Sequence, residues 1–91
     1  MMITFDPVKW EKTLSERGLD FRDAAKVFAG ETYSEEDTRF AYGEVRMRTV
    51  GFLQGRMVII VWTQRGESRH VISMRKINGR EQKRYAELFQ Q

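Results

Sequence analysis

The sequence contains no cysteine, one proline and one histidine. The missing cysteine excludes disulfide frameworks, thiolate metal sites and cysteine nucleophiles, and it suits a reducing cytoplasm. A lone histidine, His70, excludes any mechanism needing a pair of imidazoles and any multi-histidine metal site. Long apolar runs are missing as well: the longest, Met57 to Trp62, has six residues, against about 20 for a membrane-crossing helix. The start, Met1-Met2-Ile3-Thr4-Phe5-Asp6, lacks the basic segment and apolar run of a signal peptide. The expected location is therefore the cytoplasm, with no membrane partner. Repeats, low-complexity tracts and an interdomain linker are also absent, so residues 1–91 read as one domain.

What is present is a foldable chain with uneven charge. At 41% hydrophobic and 12% aromatic residues it is too apolar for a disordered protein and should close around one small core. The net charge of +3 conceals an asymmetry. Residues 1–45 carry 6 basic and 10 acidic side chains, whereas residues 46–91 carry 10 basic and 3 acidic ones. Concentrated basic charge is a footprint of polyanion binding.

The pattern along the chain predicts an α+β fold. Ile3 to Phe5 reads as a short strand. Asp6-Pro7 then offers an N-cap carboxylate and a proline at the first helical position, opening a helix that runs to Arg17 and stops at Gly18. Asp20 caps a second amphipathic helix, with Phe21, Ala24, Ala25 and Phe28 on one face and Gly30 closing it. Glu31 to Gly43 is polar and acidic and reads as a loop with room for one short strand. Three strands follow, Glu44–Leu53, Met57–Gln64 and Arg69–Lys76, joined by short glycine-containing turns as an antiparallel meander. Met57 to Trp62 is apolar at every position, marking the central strand, covered on both faces. Asn78, with Glu81 three residues on, resembles a capping box and starts a terminal helix bearing Tyr85, Leu88 and Phe89. Two N-terminal helices and a C-terminal helix thus cover a small antiparallel sheet.

Alternation in the outer strands locates candidate chemistry. Glu44, Arg46 and Arg48 share one face of the first meander strand; Arg69, Val71, Ser73 and Arg75 share one face of the third. If these faces coincide, Arg46, Arg48, Arg69 and Arg75 form a basic surface beside Arg80, Lys83, Arg84 and Tyr85 of the last helix, a groove suited to a phosphate backbone. The plainer interpretation is a solvated polar face. Tyr85, near Leu88 and Phe89, also fits a half-buried core position, Glu81 a cap, and His70, grouped with Ile72 and Met74, a packed side chain. Trp10 and Trp62 read as core. Glu35-Glu36-Asp37 reads as a solvated acidic stretch rather than a metal site.

Over nearly its full length the chain resembles the BrnT toxins of bacterial type II toxin–antitoxin systems. The resemblance is carried by Phe5-Asp6-Pro7-Val8-Lys9, by Gly18, Phe21, Ala24 and Phe28, and by Gly43-Glu44-Val45-Arg46. It continues through Val61-Trp62-Thr63-Gln64-Arg65-Gly66, then Arg69, Ile72-Ser73 and Arg75, and ends with Glu81 and Tyr85. One departure stands at Glu16-Arg17-Gly18, where many members carry lysine and histidine before the glycine.

The resemblance implies a small ribonuclease with a RelE-like fold, neutralised by a DNA-binding BrnA-like antitoxin in a heteromeric complex that binds operator DNA through the antitoxin. It implies a metal-independent endoribonuclease without cofactors, acting on RNA such as mRNA and inhibiting translation and growth. The reaction would be attack by the RNA's own 2′-hydroxyl, giving a 2′,3′-cyclic phosphate or 3′-phosphate end. Arg46, Arg75 and Arg80 are the candidates for stabilising charge on the phosphoryl oxygens, worth about 3 kcal/mol for one well-aimed donor. Tyr85 is the candidate proton-transfer group; a phenol ionises near pH ~10 in water, so acting as a base requires nearby cations. Arg48, Arg65, Arg69, Lys76, Lys83 and Arg84 are expected to hold flanking RNA, and Lys76 or Lys83 to share proton transfer. The competing expectation is a non-catalytic RNA- or ribosome-binding module, or a structural partner of a transcriptional repressor.

Overall fold

Five strands form one sheet in the computed structural model, which describes residues 1–90. They are β1 (Met2–Phe5), β2 (Tyr33–Glu36), β3 (Met47–Leu53), β4 (Arg56–Arg65) and β5 (Ser68–Lys76), in the order β1-β5-β4-β3-β2. The expected meander is its centre: β3, β4 and β5 pair antiparallel. One feature differs from expectation: β1 runs parallel to β5, so the sheet is mixed rather than antiparallel. The acidic segment supplies the one short strand it had room for, β2, which is an edge strand paired antiparallel to β3.

The helices begin and end where local chemistry dictates. In α1 (Pro7–Arg17) the Asp6 carboxylate accepts from the Val8 N–H at 2.8 Å, and Gly18 at φ +67° closes the C-terminus in the left-handed region. Asp20 caps the next element, but that element starts as a 3₁₀ turn, Phe21–Asp23, before α2 (Ala24–Ala29). Its carboxylate also accepts from Trp10 Nε1 at 2.8 Å, tying the two N-terminal helices together. In α3 (Gly79–Phe89) the Asn78 side chain accepts from the Glu81 N–H at 3.1 Å. The β3–β4 turn uses Gln54 and Gly55, both at positive φ, the two-residue geometry whose twist matches the strands.

Each face of the sheet has its own apolar cluster. On one, Phe21, Ala24 and Val27 pack over Val58, Ile60, Trp62, Val71 and Met74. α2 lies so close that a Cβ on Gly51 would stand 2.6 Å from Val27 Cγ1. On the other, α3 packs Tyr85 over Val50, Met57, Ile59 and Ile77. β4 is accordingly buried on both sides, as its sequence requires. The exception within Met57–Thr63 is Val61, which is half-buried because α3 covers only one end of its face. That uncovered stretch is where the polar side chains gather. Among the described residues no helix is long and apolar enough to cross a membrane.

Candidate active site

Strand register decides which side chains meet. On the rung through Val61, β3 contributes Arg48 and β5 contributes Ser73; residues opposite one another in antiparallel strands point to the same face. Two residues along β5, Arg75 pairs with Ile59 and so points to the α3 face as well. From there the alternation breaks. A bulge between Val61 and Trp62 leaves Ile72 without a partner and sets Val71 opposite Trp62, which reverses the side on which the remaining residues of β5 project. Arg69 therefore lies on the α1/α2 face, its guanidinium 4.4 Å from the Trp62 ring centroid and 4.6 Å from that of Phe28. The expectation that it shares a face with Arg75 is corrected. His70 turns the other way for the same reason: it leaves the face of Met74, and its Nδ1 lies 2.9 Å from Thr4 Oγ1. Burial pushes its pKa below the usual histidine value, so at neutral pH it adds no cation.

The α3 face has two walls around the Val61 rung. One is α3 itself. Tyr85 is buried by its ring, and its hydroxyl accepts from Arg48 Nη2 at 3.0 Å and from Arg84 Nη2 at 3.1 Å. Arg48, Arg84, Tyr85 and Leu88 line a shallow pocket of about 420 Å³ with Glu35 and Glu87. Arg75 is gripped end-on by Glu81 through two bonds of 2.8 and 2.9 Å. That pairing holds the Glu81 carboxyl down at about 2 and raises the Arg75 pKa further. Glu81 therefore completes only half of a capping box: its N–H is capped, while its carboxylate is spent on Arg75.

The second wall is the segment from 37 to 46. The Asp37 N–H bonds the Arg46 carbonyl at 2.8 Å, extending the β2–β3 ladder by one rung, and Thr63 Oγ1 donates to the Val45 carbonyl at 2.7 Å. The expected strand begins at Met47 rather than Glu44: next to Arg46, the Val45 carbonyl is taken by a side-chain hydroxyl. The Asp37 side chain is fully buried rather than solvated. It accepts from Arg39 Nε and Nη2, each at 2.8 Å, and from the Tyr42 hydroxyl at 3.1 Å. The Arg39 guanidinium holds this carboxyl well below the usual carboxylate range. Arg46 stacks over Tyr42 at 4.0 Å and lies 3.5 Å from Glu44.

The other anticipated residues are dispersed. Arg65 is on the α3 face but at its far end, 3.8 Å from Glu44. Arg80 is exposed one turn before Arg84 on the same helix flank. Lys83 is exposed on α3 roughly 200° around the helix from Tyr85, and so points to solvent. Lys76 lines a pocket on the α1/α2 side with Gly18, Leu19 and Asp23. Sequence reasoning missed Glu35, Asp37 and Arg39. A signal for the first two existed: at strand spacing, Glu35 and Asp37 share one face, and Arg48 of β3 and Arg46 just before it share the face that meets them. In the ladder Glu35 pairs with Arg48.

Chemically, the groove presents guanidinium groups and a phenol, with Glu35, Asp37 and Glu81 paired to arginines. Such a set can bind a phosphodiester and stabilise added charge on its oxygens. A family model described as "Ribonuclease toxin, BrnT, of type II toxin-antitoxin system" matches residues 5–81. A comparison with curated proteins found no match.

Proposed function

The chain belongs to the BrnT family of ribonuclease toxins of type II toxin–antitoxin systems, and we propose that it cleaves RNA in the groove between α3 and the 37–46 segment. The observation that carries this reading is the Tyr85 hydroxyl, which receives N–H donors from both Arg48 and Arg84. A phenol oxygen that already accepts two hydrogen bonds has its O–H left to give. Tyr85 is therefore read as proton donor rather than base. The RNA 2′-oxygen attacks phosphorus and loses its proton to solvent. The bond from phosphorus to the 5′-oxygen breaks as that oxygen takes the Tyr85 proton, leaving a 2′,3′-cyclic phosphate and a 5′-hydroxyl. The two guanidiniums then face the phenolate until solvent returns the proton.

Arg75 is read as the clamp on the non-bridging oxygens. Glu81 occupies the end of its fork, leaving the Nε edge for a phosphate. Arg46 and Arg80 stand further out and are assigned to flanking phosphates, with Arg65 beyond them. Charge neutralisation by guanidinium supports a reaction without a metal ion. The partner is a BrnA-like antitoxin that covers the groove and carries operator binding in the complex, and a RelE-like ancestry of the fold belongs to the same reading.

The test is cleavage of end-labelled RNA by the purified protein, with ends mapped and EDTA present. Tyr85→Phe keeps the buried ring and removes only the hydroxyl. It should slow cleavage by about 10²-fold or more, and Arg75→Ala should do likewise, with circular dichroism unchanged. Binding of RNA without cutting by the parent would favour the non-catalytic module; abolition of cleavage by EDTA would overturn the metal-free mechanism.

A further inference from the structure

We propose that the 37–46 segment is the base-reading wall of this groove: Phe40 stacks on the base adjacent to the scissile phosphate, and Arg39 binds that nucleotide's own phosphate. The inference rests on the ribonuclease reading above and adds a substrate subsite to it. Phe40 is 69% exposed, although its ring is not loose. It packs against Tyr42 at 5.7 Å with the planes at 74°. Tyr42 is fixed in turn by its bond to Asp37 and by the Arg46 guanidinium over its ring. One open face of an otherwise supported aromatic ring is the form a stacking platform takes.

Arg39 has the matching arrangement for the phosphate. The buried Asp37 carboxylate takes its Nε and Nη2, while the side chain remains 57% exposed. Burying a carboxylate is costly unless it is paired and hydrogen-bonded, so the Asp37 cluster defines one orientation of the segment. The outward N–H groups of Arg39 are left for an anion. The wall also flanks the chemistry: Asp37 continues the ladder on the face of Glu35, Arg46 and Arg48. An exposed aromatic ring in the same segment as a guanidinium with free N–H groups fits a nucleotide. An apolar protein side chain would use the ring but not the cation.

The experiment uses short single-stranded oligonucleotides blocked by a 2′-O-methyl group at the cleavage position, with 2-aminopurine or an abasic sugar at the adjacent position. The parent protein should quench 2-aminopurine and bind the base-containing strand about tenfold more tightly than the abasic one. Phe40→Ala should abolish both the quenching and the preference, and Phe40→Trp should retain them. Arg39→Gln should weaken both strands alike. Equal affinity of the parent for both strands, or unchanged quenching in Phe40→Ala, overturns the proposal while parent cleavage of unblocked RNA leaves the ribonuclease reading standing. Phe40→Ala that binds RNA normally but escapes antitoxin neutralisation overturns it in favour of a protein-docking role. A parent that neither binds nor cuts RNA overturns both.

Discussion

Most guanidiniums of the groove are held by carboxylates: Arg75 by Glu81, Arg48 by Glu35, Arg39 by Asp37, and Arg46 and Arg65 by Glu44. The more exposed of these pairs contribute little to stability; the common effect is to fix forks that would otherwise sweep through many rotamers. Titration separates these pairs from the histidine. Glu81 is depressed from 4.5 to about 2, so the stability its pairing contributes is complete above pH 4.5 and is lost as pH falls through about 2. His70 works the other way. Burial lowers its pKa below 6.5, so under acid conditions the unfolded chain binds more protons than the folded one, and stability falls as pH drops below 6.5. Between pH 7 and 5 the slope should therefore belong to His70. Urea midpoints measured across that range should decline in the parent and flatten in His70→Gln. An unchanged slope in the variant would place the titrating group elsewhere.

The elements divide into those whose limits are local and those whose placement is not. α1 could be read from Asp6, Pro7 and Gly18 because a cap and a stop act within a few residues. The same holds for the Gln54-Gly55 turn and for β4, whose unbroken apolar run declares burial on both faces. The position of Arg69 was not readable. Strand alternation carries no sign of a bulge, and the extra residue at Ile72 is defined only by pairing with β4. The parallel pairing of β1 with β5 is likewise a contact between residues more than 60 positions apart. Of the candidate groove, the placement of Arg48 and Arg75 on one face beside Tyr85 was legible from spacing, whereas that of Arg39 depends on a buried carboxylate in a segment whose composition suggests solvent. Gly51 tests the element scale directly. Gly51→Ala sets a methyl 2.6 Å from Val27 Cγ1, and either α2 or β3 must give way. The expected cost is about 1–3 kcal/mol, seen as a lower thermal midpoint. Gly51 pairs with Val58 on the side away from the groove, so RNA cleavage per folded molecule should be unchanged.

For the whole molecule, the split between an acidic first half and a basic second half does not survive as a split in space. The acidic half delivers Glu35, Asp37 and Glu44 to the same face as Arg48 and Arg75, where they orient guanidiniums rather than oppose them. If RNA binds in the groove as proposed, the net +3 is a poor guide to its affinity, which depends on how many cations can reach one strand there. Among the described residues Arg80 and Arg84, on one flank of α3, have no carboxylate partner, and Arg84, which holds the Tyr85 hydroxyl, is the one beside the phenol and free to meet a phosphate there. For single strands, log K falls with log salt by about 0.7 per phosphate neutralised. Arg84→Ala should therefore flatten the salt slope of blocked-oligonucleotide binding by about 0.7. Lys83→Ala, on the solvent side of α3, and Lys76→Ala, on the α1/α2 side, should leave it unchanged. Arg69→Ala should lower thermal stability by removing the cation over Trp62 and Phe28 without altering the slope. Equal flattening by all four variants would mean that RNA responds to diffuse positive charge rather than to the groove.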